Sequence, residues 1–104
     1  MNIQKMMKQA QKMQEQLAQT QTELAGKTVE VSAAGGKVTV VANGGGDVLS
    51  IKIDKSVVDP NDVDFLQELI LSAVTQAIAK GRDLAQSEMG KITAGMGLPP
   101  GLGF

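Results

Sequence analysis

The chain has no cysteine, no histidine, no tryptophan and no tyrosine in 104 residues, and its only aromatic side chains are Phe65 and Phe104. Without cysteine there are no disulfides and no thiolate metal sites, which permits a reducing compartment. Without histidine or cysteine, the usual general base and the usual thiolate nucleophile are both missing, so the expectation is a protein that is not an enzyme. A serine and lysine pair is the one familiar nucleophilic arrangement left. No Ser-x-x-Lys occurs, however, and the adjacent Lys55 and Ser56 point apart in an extended segment. The shortage of aromatic rings removes base-stacking platforms, and the single arginine, Arg82, offers no set of forks for guanine edges. No apolar run approaches the ~18 residues of a membrane span. The first sixteen residues carry Lys5, Lys8 and Lys12 among glutamines, unlike a signal peptide. A soluble cytoplasmic protein with no membrane partner is expected. Charge of one sign is lacking too. Ten basic and eleven acidic side chains leave a net charge of −1, so any nucleic-acid binding must come from local clustering rather than from the whole molecule.

What is present is about one domain's worth of chain. The hydrophobic fraction is 42% with almost no aromatics, so the core must be built from Val, Ile, Leu, Met and Ala. Over residues 1–25, Ile3, Met6, Ala10, Met13, Leu17, Thr20 and Leu24 recur at alternating spacings of three and four, a heptad seam on a helix. Gly26 stands where a C-cap is expected. From 27 to 54 the period becomes two. Val29, Val31 and Ala33, then Val38, Val40 and Ala42, then Leu49, Ile51 and Ile53 alternate with residues that are polar except for Val41. Ala34-Gly35-Gly36 and Asn43-Gly44-Gly45-Gly46-Asp47 separate the runs, which predicts a three-stranded antiparallel meander with one apolar face. Residues 62–89 return to helical spacing, with Asp62 as N-cap after Pro60 and a Leu-, Ile- and Ala-rich stripe wide enough to cover the sheet. Gly81 interrupts that stripe and points to a close backbone approach. Residues 90–104 hold five of the twelve glycines and two of the three prolines and read as a tail. The fold class expected is α+β.

Two ligand motifs fail on inspection. A phosphate-binding loop needs a glycine five residues before Gly-Lys-Ser/Thr, and the Gly36-Lys37 pair has Val31 there and Val38 after it. Asp59-Pro60-Asn61 begins like a calcium loop, but Val63 and Asp64 take the next required positions and Ile70 replaces the closing glutamate. No cofactor, no metal site and no small-molecule substrate are expected.

The helical arm carries the remaining chemistry. Lys5 and Lys12 lie two turns apart with Lys8 beside them, and Glu15 is the first carboxylate in the chain. Three ammonium groups on one stripe without local neutralisation can follow a phosphate backbone, with Gln4, Gln9 and Gln11 donating further hydrogen bonds. An ordinary solvated helix face has the same pattern. The seam has two readings as well, a helix packed on its own domain or a helix paired with a second copy. The arm is longer than one meander and one covering helix can bury, so a homodimer with Met6, Met13 and Leu17 in its interface is expected.

The order of a basic Gln- and Met-rich helix, a Gly-linked meander and Asp59-Pro60-x-Asp62 opening a Leu-rich helix resembles the YbaB/EbfC family of nucleoid-associated proteins. The resemblance covers nearly the whole chain. It rests on Met6-Met7-Lys8-Gln9-Ala10-Gln11-Lys12-Met13-Gln14, on Asn43-Gly44 with Ile51-Lys52-Ile53-Asp54, and on Met89-Gly90-Lys91-Ile92-Thr93 with Pro99-Pro100-Gly101-Leu102. It implies intertwined homodimers shaped like tweezers, helical arms that approach the duplex, and DNA binding in the nucleoid that compacts or bends DNA and influences gene expression. On that reading Lys5, Lys8, Lys12 and Arg82 contact double-stranded DNA, mostly through its backbone and with low sequence preference. The alternative is a dimeric protein-protein interaction module that does not bind DNA.

Overall fold

The structure is a computed structural model and describes residues 2–95; the part of the expected tail beyond residue 95 lies outside the described residues. Helix α1 spans Ile3–Gly26, strands β1, β2 and β3 span Thr28–Ala33, Val38–Asn43 and Val48–Ile53, a 3₁₀ turn occupies Lys55–Val57, and helix α2 spans Val63–Gly95. The strands form one antiparallel sheet in the order β1-β2-β3. This is the α+β meander that the change of period from 3.5 to 2 predicted.

Local chemistry sets most of the boundaries. Asn2 caps α1 by accepting from the Lys5 N–H at 3.2 Å, and Asp62 caps α2 by accepting from the Phe65 N–H at 3.3 Å. The β1–β2 connection runs through positive φ at Ala34 (54°), Gly35 (67°) and Gly36 (91°). Glycine adopts that region at little cost, whereas Ala34 is an uncommon occupant.

The core lies where α2 crosses the sheet. Val38, Val40 and Ala42 of the central strand and Ala73 and Ala77 of α2 are fully buried, with Val29, Val31, Leu69 and Val74 packed around them. Each buried valine contributes about 1.5–3 kcal/mol over its exposed state. The two alanines bring the helix close to the strands, and the close approach expected at Gly81 is present. A Cβ there would collide with the Asn43 carbonyl oxygen.

Four expectations need correction. The stripe on α2 does not cover the whole sheet: it lies over β1 and β2, and all six residues of β3 stay exposed. Leu49 does not continue the inward series with Ile51 and Ile53. A bulge pairs Val41 with Ser50 but Ala42 with Val48, so Leu49 is the extra residue and Val48 takes the inner face. Gly26 is not a left-handed C-cap; it is the last helical residue, and Lys27 caps in an extended conformation (φ −93°, ψ 125°). Finally, α2 does not end at residue 89. It runs through Gly90 to Gly95, because one glycine costs a helix only about 1 kcal/mol. Half-buried Ile92 and the Glu88–Lys91 pair hold the added turn.

The helices α1 and α2 run antiparallel. Gln21 and Leu24 face Ala85 and Met89, and Gln16 and Thr20 share a groove with Glu88 and Ile92. At this contact Lys27 Nζ lies 3.4 Å from Glu88 Oε1, and Lys91 Nζ lies 3.5 Å from the same oxygen. The hydrogen bond from Lys27, then its charge and that of Lys91, hold the Glu88 carboxyl below the usual glutamate range. A lowered folded-state value means that this contribution to stability is present above the ordinary glutamate pKa. It is lost as pH falls through the lowered one. A carboxyl-detected NMR titration is expected to place Glu88 below the ordinary glutamate range, and Lys27→Gln to move its midpoint back up. An unmoved midpoint in that variant would exclude Lys27 as the cause.

Candidate nucleic-acid interface

The radius of gyration is 19.3 Å and the molecule extends over 70 × 22 × 17 Å, against about 13 Å for a compact chain of some 100 residues. The two long helices, α1 and α2, make the molecule elongated. The 24 residues of α1 make a rod about 36 Å long, and only its C-terminal half is covered. Met13, Gln16, Leu17 and Thr20 are half-buried and Leu24 is 2% exposed, whereas Ile3, Met6 and Met7 are 68%, 54% and 59% exposed. The seam is therefore one continuous stripe with two fates. From Met13 onward it faces the chain's own body, and among the described residues nothing buries Ile3 to Lys12.

Lys5, Lys8 and Lys12 lie on this free portion and are all exposed. At 100° per residue they fall within an arc of about 60°, on the side of the helix away from the seam. Lys5 and Lys12 are separated by about 10.5 Å of helix rise, about three of the 3.4 Å axial steps between phosphates on one DNA strand. Among the described residues no ion pair engages any of the three. The structure brings these lysines together on one stripe.

Arg82 does not join them. It is exposed on α2 beyond the point where α1 ends, about 30 Å from Lys8 along the helix axes. Its neighbour Lys80 donates from Nζ to the Glu30 carbonyl at 3.0 Å. Among the expected interface residues, Met13 and Leu17 are half-buried within the chain and Met6 is exposed.

Sequence reading missed what holds the arm to the body. The β2–β3 turn caps α1 from outside the helix. The Gly44 N–H donates to Leu24 O and Lys27 O, both at 3.0 Å. Asn43, 4% exposed, donates from Nδ2 to Ala25 O at 3.1 Å. Its Oδ1 accepts from the N–H groups of Gly45 at 3.0 Å and Asp47 at 2.9 Å. Helix ends leave carbonyls without helical partners; here Asn43, 18 positions downstream, satisfies Ala25 O, and Gly44 shares Leu24 O with the Lys27 N–H. Asn-Gly signalled a turn; nothing local signalled what the turn would grip.

A lysine-bearing helical arm fixed to a sheet-and-helix body defines an α+β binding module. No helix among the described residues is long and apolar enough to cross a membrane. The sequence pattern of the YbaB/EbfC DNA-binding family matches residues 1–96, and the chain belongs to that family. It is 52% identical over 104 residues, the full length of both chains, to a nucleoid-associated protein of Akkermansia muciniphila. It is 52% identical to one of Acetivibrio thermocellus over 97% of this chain and 89% of that one. The fold is shared with a crystal structure of an uncharacterized Helicobacter pylori protein. That match has a TM-score of 0.73 and 20% identity, over 84% of this chain and 91% of the other.

Proposed function

We propose that this protein binds duplex DNA in the bacterial nucleoid as a homodimer, gripping the phosphate backbone with little sequence preference, and that it alters DNA conformation and so influences gene expression. The observation that carries this reading is the acid-free lysine stripe on the free half of α1. Phosphate contacts position a protein without reading bases, and one arginine and two phenylalanines supply little for base recognition. The names of the relatives favour the nucleoid as its location.

A homodimer is supported by apolar surface that a single chain leaves open. Ile53, Ile51 and Val48 pair with buried Val38, Val40 and Ala42, so their side chains share the inner face of the sheet. Because α2 stops short of β3, they remain 39%, 43% and 37% exposed. A second copy covering this overhang removes apolar area from water at about 25 cal/mol per Å². Met6 offers a further contact, and Met13 and Leu17 the remainder of their half-covered side chains.

Two measurements test the proposal. Sedimentation at micromolar concentration is expected to give a dimer, and a folded monomer would overturn the dimer. Six lysines in two arms, with some missing a phosphate, predict a slope of log affinity against log salt of about −3 to −5. A slope near zero, with capture of a protein instead, would replace DNA binding by the interaction-module reading.

A further inference from the structure

We propose that Asn43 is a positioning residue for DNA binding: its side-chain amide, bonded to the last turn of α1, sets the angle at which the lysine arm leaves the body. The inference rests on the lysine-arm reading above.

The geometry is that of a lever. Lys5 lies twenty residues from Ala25, about 30 Å along the helix. A rotation of only 10° at the junction moves Lys5 by about 5 Å, more than the 3.4 Å axial step between phosphates. From Met13 to Leu24 α1 rests on α2 through mostly half-buried side chains, and its last turn, where the body hydrogen-bonds it, fixes its direction together with that contact. There Asn43 touches three elements at once. Nδ2 holds Ala25 O of α1, Oδ1 holds the turn through Gly45 and Asp47, and its carbonyl oxygen is the atom against which Gly81 of α2 is packed. Leu24 adds a steric stop, because a Cβ on Gly44 would come within 2.7 Å of its Cδ2. A side chain with an acceptor and no donor would keep the turn and release the arm. The amide is what distinguishes the two tasks.

The test is the charge-neutral exchange N43D/D47N, which keeps an oxygen at position 43 for the turn and removes the donor to Ala25 O. Asn43→Ala, which removes the donor without adding a carboxylate, is measured alongside, so that an effect of the new carboxylate on the turn does not decide the result. The chain has no cysteine, so spin labels at Gln4→Cys and Gln76→Cys report the arm-to-body distance in labelled protein diluted with unlabelled chains. One narrow distance is expected for the parent. A broadened or shifted distance is expected for both variants, with dimer and sheet content retained. Affinity for a random-sequence duplex is expected to fall about fivefold or more, and the salt slope to become shallower by about 1 to 2. An unchanged distance, or a changed one with full affinity, would overturn the proposal. Exchange of all three arm lysines separates the two claims. If that exchange abolishes binding while the Asn43 variants bind fully, only the positioning role falls. If it too binds fully, the lysine-arm reading falls with it.

Discussion

Exchange of Lys5, Lys8 and Lys12 together for glutamine is expected to flatten the salt dependence of DNA binding. Each phosphate neutralised contributes about −0.9 to the slope of log affinity against log salt, so four engaged lysines in a dimer give about −3.6. Between 50 and 200 mM salt that slope costs the parent protein on the order of 100-fold in affinity; the variant should lose only a few-fold. Glutamine has nearly the helix propensity of lysine, and the substituted positions lie away from the seam that packs on α2. The Asn2 cap uses the backbone N–H of position 5, so it survives the exchange. Fold and oligomeric state should therefore be those of the parent, and the loss should be similar for every duplex, because phosphates carry no sequence information. Fluorescence anisotropy across a salt series reads both quantities. An unchanged slope would make the stripe a solvated helix face and turn attention to Arg82 and Lys91 on α2.

The lysine stripe was legible in the sequence because it depends on one helix alone: spacing fixes which side chains share a face, whatever the helix packs against. The same holds for the strand alternation of β1 and β2 and for the Asp62 cap. What could not be read depends on partners distant in the chain. The bulge at Leu49 arises from the register of two strands, so period-two counting places Leu49 on the wrong face. The end of α1 looked like a glycine cap because Gly26 is local, whereas the real partners, Asn43 and Gly44, come from a turn beyond two strands. The separation of Arg82 from the lysines follows from the antiparallel docking of α1 on α2. Gly81 is the exception, a tertiary contact visible from sequence, because a glycine inside an apolar helical stripe costs stability unless something must come close.

That contact supports a prediction of opposite sign for two glycines in the same helix. At Gly81 an added Cβ meets the carbonyl oxygen of Asn43, with its carbonyl carbon at 3.4 Å and Val29 Cγ2 at 3.9 Å. The obstacle is backbone. It is held by the Asn43 N–H bond to Asp47 O at 2.9 Å and by the Gly46 N–H bond to Asn43 O at 3.2 Å, so it cannot swing aside as a flexible side chain would. Gly81→Ala gains about 1 kcal/mol of helix propensity. Forcing α2 off the sheet costs about 1–3 kcal/mol or more, since the packed core cannot absorb the shift. The net result should be a loss, up to about 2 kcal/mol and about 4–8 °C in Tm per kcal/mol for a domain of this size. At Gly90 the position is exposed and an added Cβ meets nothing within 4 Å. Gly90→Ala should therefore return the propensity term alone, a gain of about 0.5–1 kcal/mol. Thermal unfolding of both variants at one fixed protomer concentration makes the comparison, because a dimer's Tm depends on concentration. Stabilisation by both substitutions would mean that α2 does not rest on Asn43, and the junction that aims the arm would lose one of its three supports.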